Sequence, residues 1–192
     1  MMRPRRSTPD GTVTPPVTDG AEAAGESAIV GGDPETLARA IVLRRLTRAP
    51  QTRAQLAEAL ASRGIPDEVA ADVLDRMTDV GLVDDAEFAA MYVRSRRATR
   101  GLAPRVLAQE LRAKGVDELL IRSELDGIDA EADRRLAEEL VARRAPQTSG
   151  LDPEARRRRL VGMLLRKGYA PGLAFDVVRA ALRHEEWLAD ED

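Results

Sequence analysis

The residue types that most often carry out catalysis are sparse in this 192-residue chain. The one histidine, His184, stands near the C-terminus with no second ligand type beside it to complete a zinc or iron site. The adjacent carboxylates Asp84 and Asp85 raise an acid–base question, but Asp84 is well placed as the N-cap of a following helix. We find no phosphate-binding glycine loop, nucleophile motif or dinucleotide fingerprint. The sequence therefore predicts no catalytic residue, metal site or cofactor, and we expect a protein that is not an enzyme.

Basic side chains are the stronger functional candidates, because they are concentrated in two segments of a chain whose net charge is −3. Seven basic residues accompany one acid between Met91 and Lys114, and six accompany one acid between Glu154 and Gly168. Arg94, Arg97 and Arg100 are three apart, so we expect them on one exposed side of a helix. Guanidinium groups bind phosphates and carboxylates through paired hydrogen bonds, which suits nucleic acid or an acidic protein groove. The predicted partner-binding residues are Arg94, Arg96, Arg97, Arg100, Arg105, Arg156, Arg157, Arg158, Arg159, Arg166 and Lys167. For either cluster taken alone, a solvated helical surface is the alternative.

An internal repeat organises the elements that must position these cations. Three segments align on a glycine, and in each of them leucine occupies the fourth and the eighth position before it. The glycines are Gly64, Gly115 and Gly168, and the leucines are Leu60 and Leu56, Leu111 and Leu107, and Leu164 and Leu160. Leucines four apart lie on one helical face, and a basic residue followed by glycine is a helix stop. Each copy is therefore predicted to be a helix, a glycine stop and a second helix.

A further helix is predicted before each of these pairs. Its proposed apolar positions are Leu43 and Leu46 in the first copy, Phe88 and Tyr92 in the second, and Leu136 and Leu140 in the third. Capping boxes are predicted for Thr52 with Gln55 and for Asp84 with Glu87, and a helix start is predicted at Asp152-Pro153. The sequence thus predicts an all-α fold of three tandem three-helix repeats, stacked into an elongated, curved array. The predicted repeats span residues 35–83, 84–128 and 129–183.

The two ends of the chain differ in composition from the repeats. Residues 1–34 contain five of the eleven prolines and few apolar residues, so we expect a disordered N-terminal tail. Residues 184–192 are predicted to be an acidic C-terminal tail. The chain has no cysteine and no apolar run of the ~20 residues that a membrane span needs. We therefore expect a soluble cytoplasmic protein.

The segment 81–116 resembles the RecX family, the bacterial regulators of the RecA recombinase. That family combines a capped helix start, an aromatic residue followed by alanine, a basic helix, a glycine, and a final glutamate-leucine and lysine-glycine ending. The matching positions here are Gly81, Asp84, Asp85, Phe88, Ala89, Gly101, Glu110, Leu111, Lys114, Gly115 and Val116. Val83 stands where a bulkier aliphatic residue is common in the family. The resemblance extends over about residues 36–183.

The resemblance implies an all-α protein of three three-helix repeats that binds RecA and lodges in the groove of its filament on single-stranded DNA. It implies inhibition of strand exchange and of ATP hydrolysis by RecA, and it carries over no catalytic residue. We expect a monomer, and weak direct binding to single- or double-stranded DNA stays open. The partner is identified by the family alone.

Other functions fit parts of the sequence. Residues 52–65 have the composition of a helix-turn-helix unit, so a DNA-binding regulator is the first alternative. The threefold repetition argues against it, since such regulators usually present one recognition helix per subunit. A helical scaffold with an unrelated protein partner is another alternative, whereas an enzyme is disfavoured because no set of polar residues converges.

Overall fold

The computed structural model describes the backbone of residues 33–189 and the side chains of residues 33–183. The predicted N-terminal tail lies almost wholly outside this range, and so does the side chain of His184. All the regular structure in the described range is helical. The helices are α1 (Pro34–Arg48), α2 (Arg53–Ala61), α3 (Asp67–Asp79), α4 (Asp85–Arg100), α5 (Pro104–Ala113), α6 (Glu118–Asp126), α7 (Ala130–Arg144), α8 (Pro153–Arg166) and α9 (Pro171–Ala189), with a short 3-10 helix at Ala145–Thr148.

The helices pack in consecutive groups of three, each around its own apolar core. Helices α1 to α3 form repeat 1, α4 to α6 form repeat 2, and α7 to α9 form repeat 3. The core of repeat 1 contains Leu56 and Leu74, and that of repeat 2 contains Leu107 and Ile121. The core of repeat 3 extends to Ala103, which precedes α5, so repeats 2 and 3 share part of one core. The predicted all-α fold of three three-helix repeats is confirmed.

The second helix of each repeat contributes the leucines that the repeat alignment had identified. All six of them have no exposed surface. After each helix the chain turns through a glycine with positive φ, at +73° for Gly64, +75° for Gly115 and +95° for Gly168. The next residue donates its N–H back to the carbonyl of the buried leucine, at 3.2 Å in every copy. This six-residue hydrogen bond defines a Schellman stop, which we call the stop turn of its repeat.

The first helix of each repeat differs in part from the prediction, because small residues recur in its core beside large ones such as Ile41 and Phe88. Alanine and valine four residues apart are buried in each copy: Ala38 and Val42, Ala89 and Val93, and Ala137 and Val141. Leu43, which was predicted to be a core position, is 38% exposed, and Leu46, Leu136 and Leu140 are only partly buried. The sequence interpretation considered only large apolar residues in these helices. Small residues can also form a helix contact, because the side chains at the contact set how closely two helices approach.

Side-chain caps fix where the helices begin. Thr52 and Gln55 form both hydrogen bonds of the predicted capping box at the start of α2. Asp84 accepts from the backbone N–H of Glu87 at 2.9 Å, and Asp152 accepts from that of Ala155 at 3.0 Å. Asp85 caps a different repeat, since its carboxylate accepts from the N–H of Arg53, the first residue of α2, at 2.8 Å. Both members of the Asp84-Asp85 pair therefore have a structural role at a helix N-terminus.

Neighbouring repeats are joined in the same way at both junctions. The stop turn of repeat 2 contacts the start of α2, where the Thr52 hydroxyl donates to the Lys114 carbonyl at 2.6 Å. The stop turn of repeat 3 contacts the start of α5, where the Ala103 N–H donates to the Lys167 carbonyl at 2.9 Å. The second of these contacts brings the C-terminal end of α4, at Arg100, close to the C-terminal end of α8, at Arg166.

Candidate binding surface

The eleven predicted binding residues divide into cations that are bonded within the molecule and cations that face solvent. Within the described residues, five of them are exposed and form no ion pair or side-chain hydrogen bond: Arg94, Arg105, Arg158, Arg159 and Arg166. The other six contact partners in their own repeat or in a neighbouring one. The two groups therefore differ in what they can offer to a second molecule.

Arg97 is the clearest member of the bonded group. Its guanidinium donates to the Asp133 carboxylate at 2.7 Å, and both side chains are only 16% exposed. Because Arg97 lies on α4 and Asp133 on α7, this ion pair fastens repeat 2 to repeat 3. The prediction that Arg97 shares an exposed side with Arg94 and Arg100 is wrong, since Arg94 and Arg100 are exposed whereas the Arg97 side chain is largely covered.

Arg96 and Arg100 both lie near Glu110, the one acid of the first basic segment. The distances to its carboxylate are 3.6 Å from Arg96 and 3.9 Å from Arg100. The Tyr92 hydroxyl donates to the same carboxylate at 2.8 Å, and the Arg96 guanidinium lies 4.8 Å from the centroid of the Tyr92 ring. Burial raises the pKa of Tyr92, with the hydrogen bond from Arg96 acting in the opposite direction. Arg96 therefore stabilises the fold of repeat 2 through charge and cation–π contacts.

Aromatic packing extends this cluster to the first junction. The rings of Phe88 and Tyr92 stack with centroids 5.8 Å apart. The Lys114 ammonium lies 5.2 Å from the Tyr92 centroid and 5.9 Å from that of Phe88. Since the Lys114 carbonyl accepts from Thr52, this residue joins the aromatic pair of repeat 2 to the start of α2. The prediction that Phe88 is a core residue is confirmed.

The run of four arginines in repeat 3 is also divided. Arg156 donates to the Thr148 hydroxyl at 3.2 Å and to the Ala145 carbonyl at 3.3 Å, which holds the 3-10 helix against α8. Arg157 forms an exposed ion pair with Glu154 at 2.6 Å. Arg158 and Arg159 are exposed and line a groove.

Four of the seven residues that line this groove are arginines. It is open, with a volume of about 740 Å³, and is lined by Arg144, Leu151, Ala155, Arg158, Arg159, Met163 and Arg166. No carboxylate belongs to this lining. Leu151 and Met163 add apolar surface between the guanidinium groups. We call these residues the arginine groove. The sequence analysis missed Arg144, Leu151 and Met163, because they lie outside the dense basic runs or between them.

The two basic segments meet where repeats 2 and 3 join. The Lys167 ammonium donates to the carbonyl of Arg100, the last residue of α4. Burial lowers the pKa of Lys167, and the neighbouring charges of Arg143 and Arg100 lower it further. Tyr169, which follows the stop turn, donates its hydroxyl to the Gly101 carbonyl at 3.3 Å, and its burial raises its pKa. The structure thus brings Arg100, Arg143 and Lys167 together, beside the Arg166 end of the arginine groove.

Neither a candidate metal-ion site nor a membrane-spanning helix is present among the described residues. Among them, no group of three or more histidine, cysteine or carboxylate side chains is arranged to hold a metal ion. None of their helices combines the length and hydropathy needed to cross a membrane. The arginine groove, by contrast, presents guanidinium groups that are able to bind anions.

Comparison with known families matches each repeat to its own family model. Residues 38–77 match the first three-helix domain of RecX, residues 84–125 the second and residues 131–178 the third. Regulatory protein RecX from Thermobifida fusca is 55% identical over 148 residues, which cover 77% of this chain and 80% of that protein. Regulatory protein RecX from Streptomyces coelicolor is 52% identical, with 83% of this chain and 87% of that protein covered.

Solved structures show the same fold at lower identity. The crystal structure of RecX from Lactobacillus salivarius superposes with a TM-score of 0.70 at 20% identity, over 77% of this chain and 96% of that one. A second crystal structure, of regulatory protein RecX, gives a TM-score of 0.67 at 24% identity, over 77% and 72% of the two chains. At these identities the two superpositions support the fold alone.

Proposed function

The chain belongs to the RecX family of regulatory proteins, and on that premise we propose that it regulates the RecA recombinase in recombinational DNA repair. It binds RecA and the RecA filament on single-stranded DNA, and it mainly inhibits ATP hydrolysis and strand exchange. It acts in the cytoplasm by binding alone, without chemistry of its own.

The exposed arginines are the observation that supports this proposal most directly. The arginine groove presents Arg158, Arg159 and Arg166 without a described partner, and Arg144 lies beside them with a hydrogen bond to Gln147 alone. A RecA filament on DNA carries both carboxylates and phosphates, and guanidinium groups bind either in bidentate geometry. Leu151 and Met163 can contact apolar parts of the same partner.

The proposal is tested by adding the purified protein to RecA on poly(dT) and measuring ATP hydrolysis and cosedimentation. We expect the protein to cosediment with the filament and the rate of hydrolysis to fall as it is added. Inhibition should weaken as salt is raised from 50 to about 200 mM, because exposed cations release counterions when they bind a polyanion. The proposal would be overturned if the protein neither cosedimented with the filament nor inhibited ATP hydrolysis at low salt.

A further inference from the structure

Repeat 3 has a second groove, between the start of α8 and the middle of α9. Its volume is about 430 Å³, and none of its lining residues belongs to the arginine groove. The lining has three apolar side chains, three arginines and one acid. This groove therefore combines net positive charge with apolar surface, and the function proposed above does not use it.

An exposed aromatic ring distinguishes this groove. Phe175 lines it and is 53% exposed. The other three aromatic side chains among residues 33–183, which are Phe88, Tyr92 and Tyr169, are buried or partly buried. A single exposed apolar side chain is common on protein surfaces. The exposure of Phe175 therefore gains meaning only from the charges around it.

Those charges lie along the same side of α9. Phe175, Arg179 and Arg183 follow one another at intervals of four residues, so they share one helical face. Each interval corresponds to about 6 Å along the helix axis, at about 1.5 Å of rise per residue. Arg157 of α8 lines the groove as well. The ring is thus followed by two cations in a row and accompanied by a third from the neighbouring helix.

Two of the three cations are held by ion pairs that a ligand can replace. Arg157 pairs with Glu154 and Arg179 pairs with Asp176, each at 2.6 Å and each in solvent-exposed geometry. Exposed pairs of this kind contribute little to stability. Arg183 is exposed and pairs with no described carboxylate. All three guanidinium groups are therefore accessible to an anion in solution.

The equivalent rows of the other repeats have different chemistry. The row occupies the positions seven, eleven and fifteen residues after the glycine of each stop turn, with an alanine and two aspartates in repeat 1 but a phenylalanine and two arginines in repeat 3. These residues are Ala71, Asp75 and Asp79 in repeat 1 and Phe175, Arg179 and Arg183 in repeat 3. Repeat 2 has Arg122 and Asp126 at the first two positions. The first position is exposed in all three repeats, so the repeat fold does not require an aromatic ring there.

We propose that Phe175, Arg157, Arg179 and Arg183, which we call the Phe175 surface, bind single-stranded DNA directly. The Phe175 ring stacks on one unpaired base, and the guanidinium groups bind the phosphates beside it. Proteins that bind single strands combine these two features, cations for the backbone and an aromatic ring for a base. An acidic peptide needs the arginines alone, and the bases of a duplex are already stacked on each other.

This inference goes beyond the proposed function, because the chain itself binds the strand without RecA. The choice of DNA over RNA rests on the proposed function, which places the chain at a filament on single-stranded DNA.

Stacking is tested by the anisotropy of fluorescein-labelled oligo(dT) at low salt, with the protein alone. We expect Phe175→Ala to weaken binding roughly tenfold and Phe175→Trp to stay within about twofold of the parent, because tryptophan keeps an aromatic face. Phe175→Leu keeps apolar surface alone and should bind like Phe175→Ala. Leu119→Ala is the matched control, because Leu119 of α6 is a 72% exposed apolar residue outside this groove, and it should leave binding unchanged.

The contribution of charge is tested by Arg183→Gln against Arg122→Gln. Both substitutions remove one exposed arginine from a third helix of a repeat, so they change net charge equally. We expect Arg183→Gln to weaken binding to oligo(dT) and to reduce the slope of log affinity against log salt by about 0.7, since one phosphate contact is lost. Arg122→Gln should leave both quantities at the parent values. Equal effects of the two substitutions would overturn the assignment of Arg183 to the site.

Other results would also contradict the inference. These are no binding of oligo(dT) by the parent at low salt, equal affinities of the parent and Phe175→Ala, or an equal loss by Phe175→Ala on a duplex of the same length. A Phe175→Ala variant that inhibits RecA less but keeps its affinity for oligo(dT) would show that the surface contacts RecA instead. Circular dichroism and melting of each variant verify that it is folded.

Failure of this inference is distinguishable from failure of the proposed function, because the oligo(dT) assay contains no RecA. A parent protein that cosediments with the filament but does not bind oligo(dT) disproves the inference alone. A parent protein that binds oligo(dT) but neither cosediments with the filament nor inhibits ATP hydrolysis disproves the proposed function alone.

Discussion

Arginines that look equivalent in the sequence have different roles in the structure. Arg94 and Arg97 are three residues apart on α4, yet Arg94 is exposed whereas Arg97 pairs with Asp133 across a junction. Charge density along the chain identified the basic segments, but it could not assign partners, because Asp133 is 36 residues away from Arg97. A binding experiment on this cluster must therefore separate loss of contact from loss of stability.

We predict that Arg97→Ala destabilises the protein by about 1–3 kcal/mol, because it leaves the Asp133 carboxylate poorly exposed and without its partner. Arg94→Ala should change the free energy of unfolding by about 0.5 kcal/mol at most, as expected for an exposed side chain. Urea unfolding of both variants measures the difference. An Asp133→Ala variant completes a double-mutant cycle, and a coupling energy near zero would show that the ion pair does not stabilise the junction.

Helices were easier to predict from the sequence than the contacts between them. The stop turns and the caps at Thr52, Asp84 and Asp152 depend on residues within one turn of each other, so local signals were sufficient. The six leucines of the second helices were found because large apolar residues recur at a fixed distance from a glycine. The alanine–valine pairs of the first helices were missed because small residues are also common on exposed helix surfaces in this chain.

Two alanines of α1 allow a direct test of that small-residue contact. Ala38 has no exposed surface, whereas Ala40 on the same helix is exposed. We predict that Ala38→Leu costs about 1–3 kcal/mol because the added volume forces the core of repeat 1 apart. Ala40→Leu should stay within about 0.5 kcal/mol of the parent, since leucine and alanine have similar helix propensities. Thermal or urea unfolding measures the stability of both variants. Equal stabilities would mean that α1 is rotated about its axis relative to our description.

At the scale of the whole molecule, the repetition of the fold is what the sequence could predict and the assembly of the repeats is what it could not. Three stop turns, 51 and 53 residues apart, indicated three units. The junctions depend on hydrogen bonds to backbone carbonyls and on the Arg97–Asp133 ion pair between residues far apart in the sequence, and neither leaves a periodic signal. The second junction brings the two basic segments together at Arg100 and Lys167, a contact that no local signal in the sequence indicated.

The central claim is that the arginine groove engages the RecA filament, and charge reversal tests it most directly. The variant Arg158→Glu, Arg159→Glu and Arg166→Glu is compared with Arg39→Glu, Arg44→Glu and Arg122→Glu, which changes three exposed arginines elsewhere and alters net charge equally. The measured quantity is the concentration that halves ATP hydrolysis by RecA on poly(dT), with helicity and unfolding followed in parallel. We predict an increase of about tenfold or more for the groove variant and less than about threefold for the control. Folded groove and control variants that inhibit equally well would contradict the account.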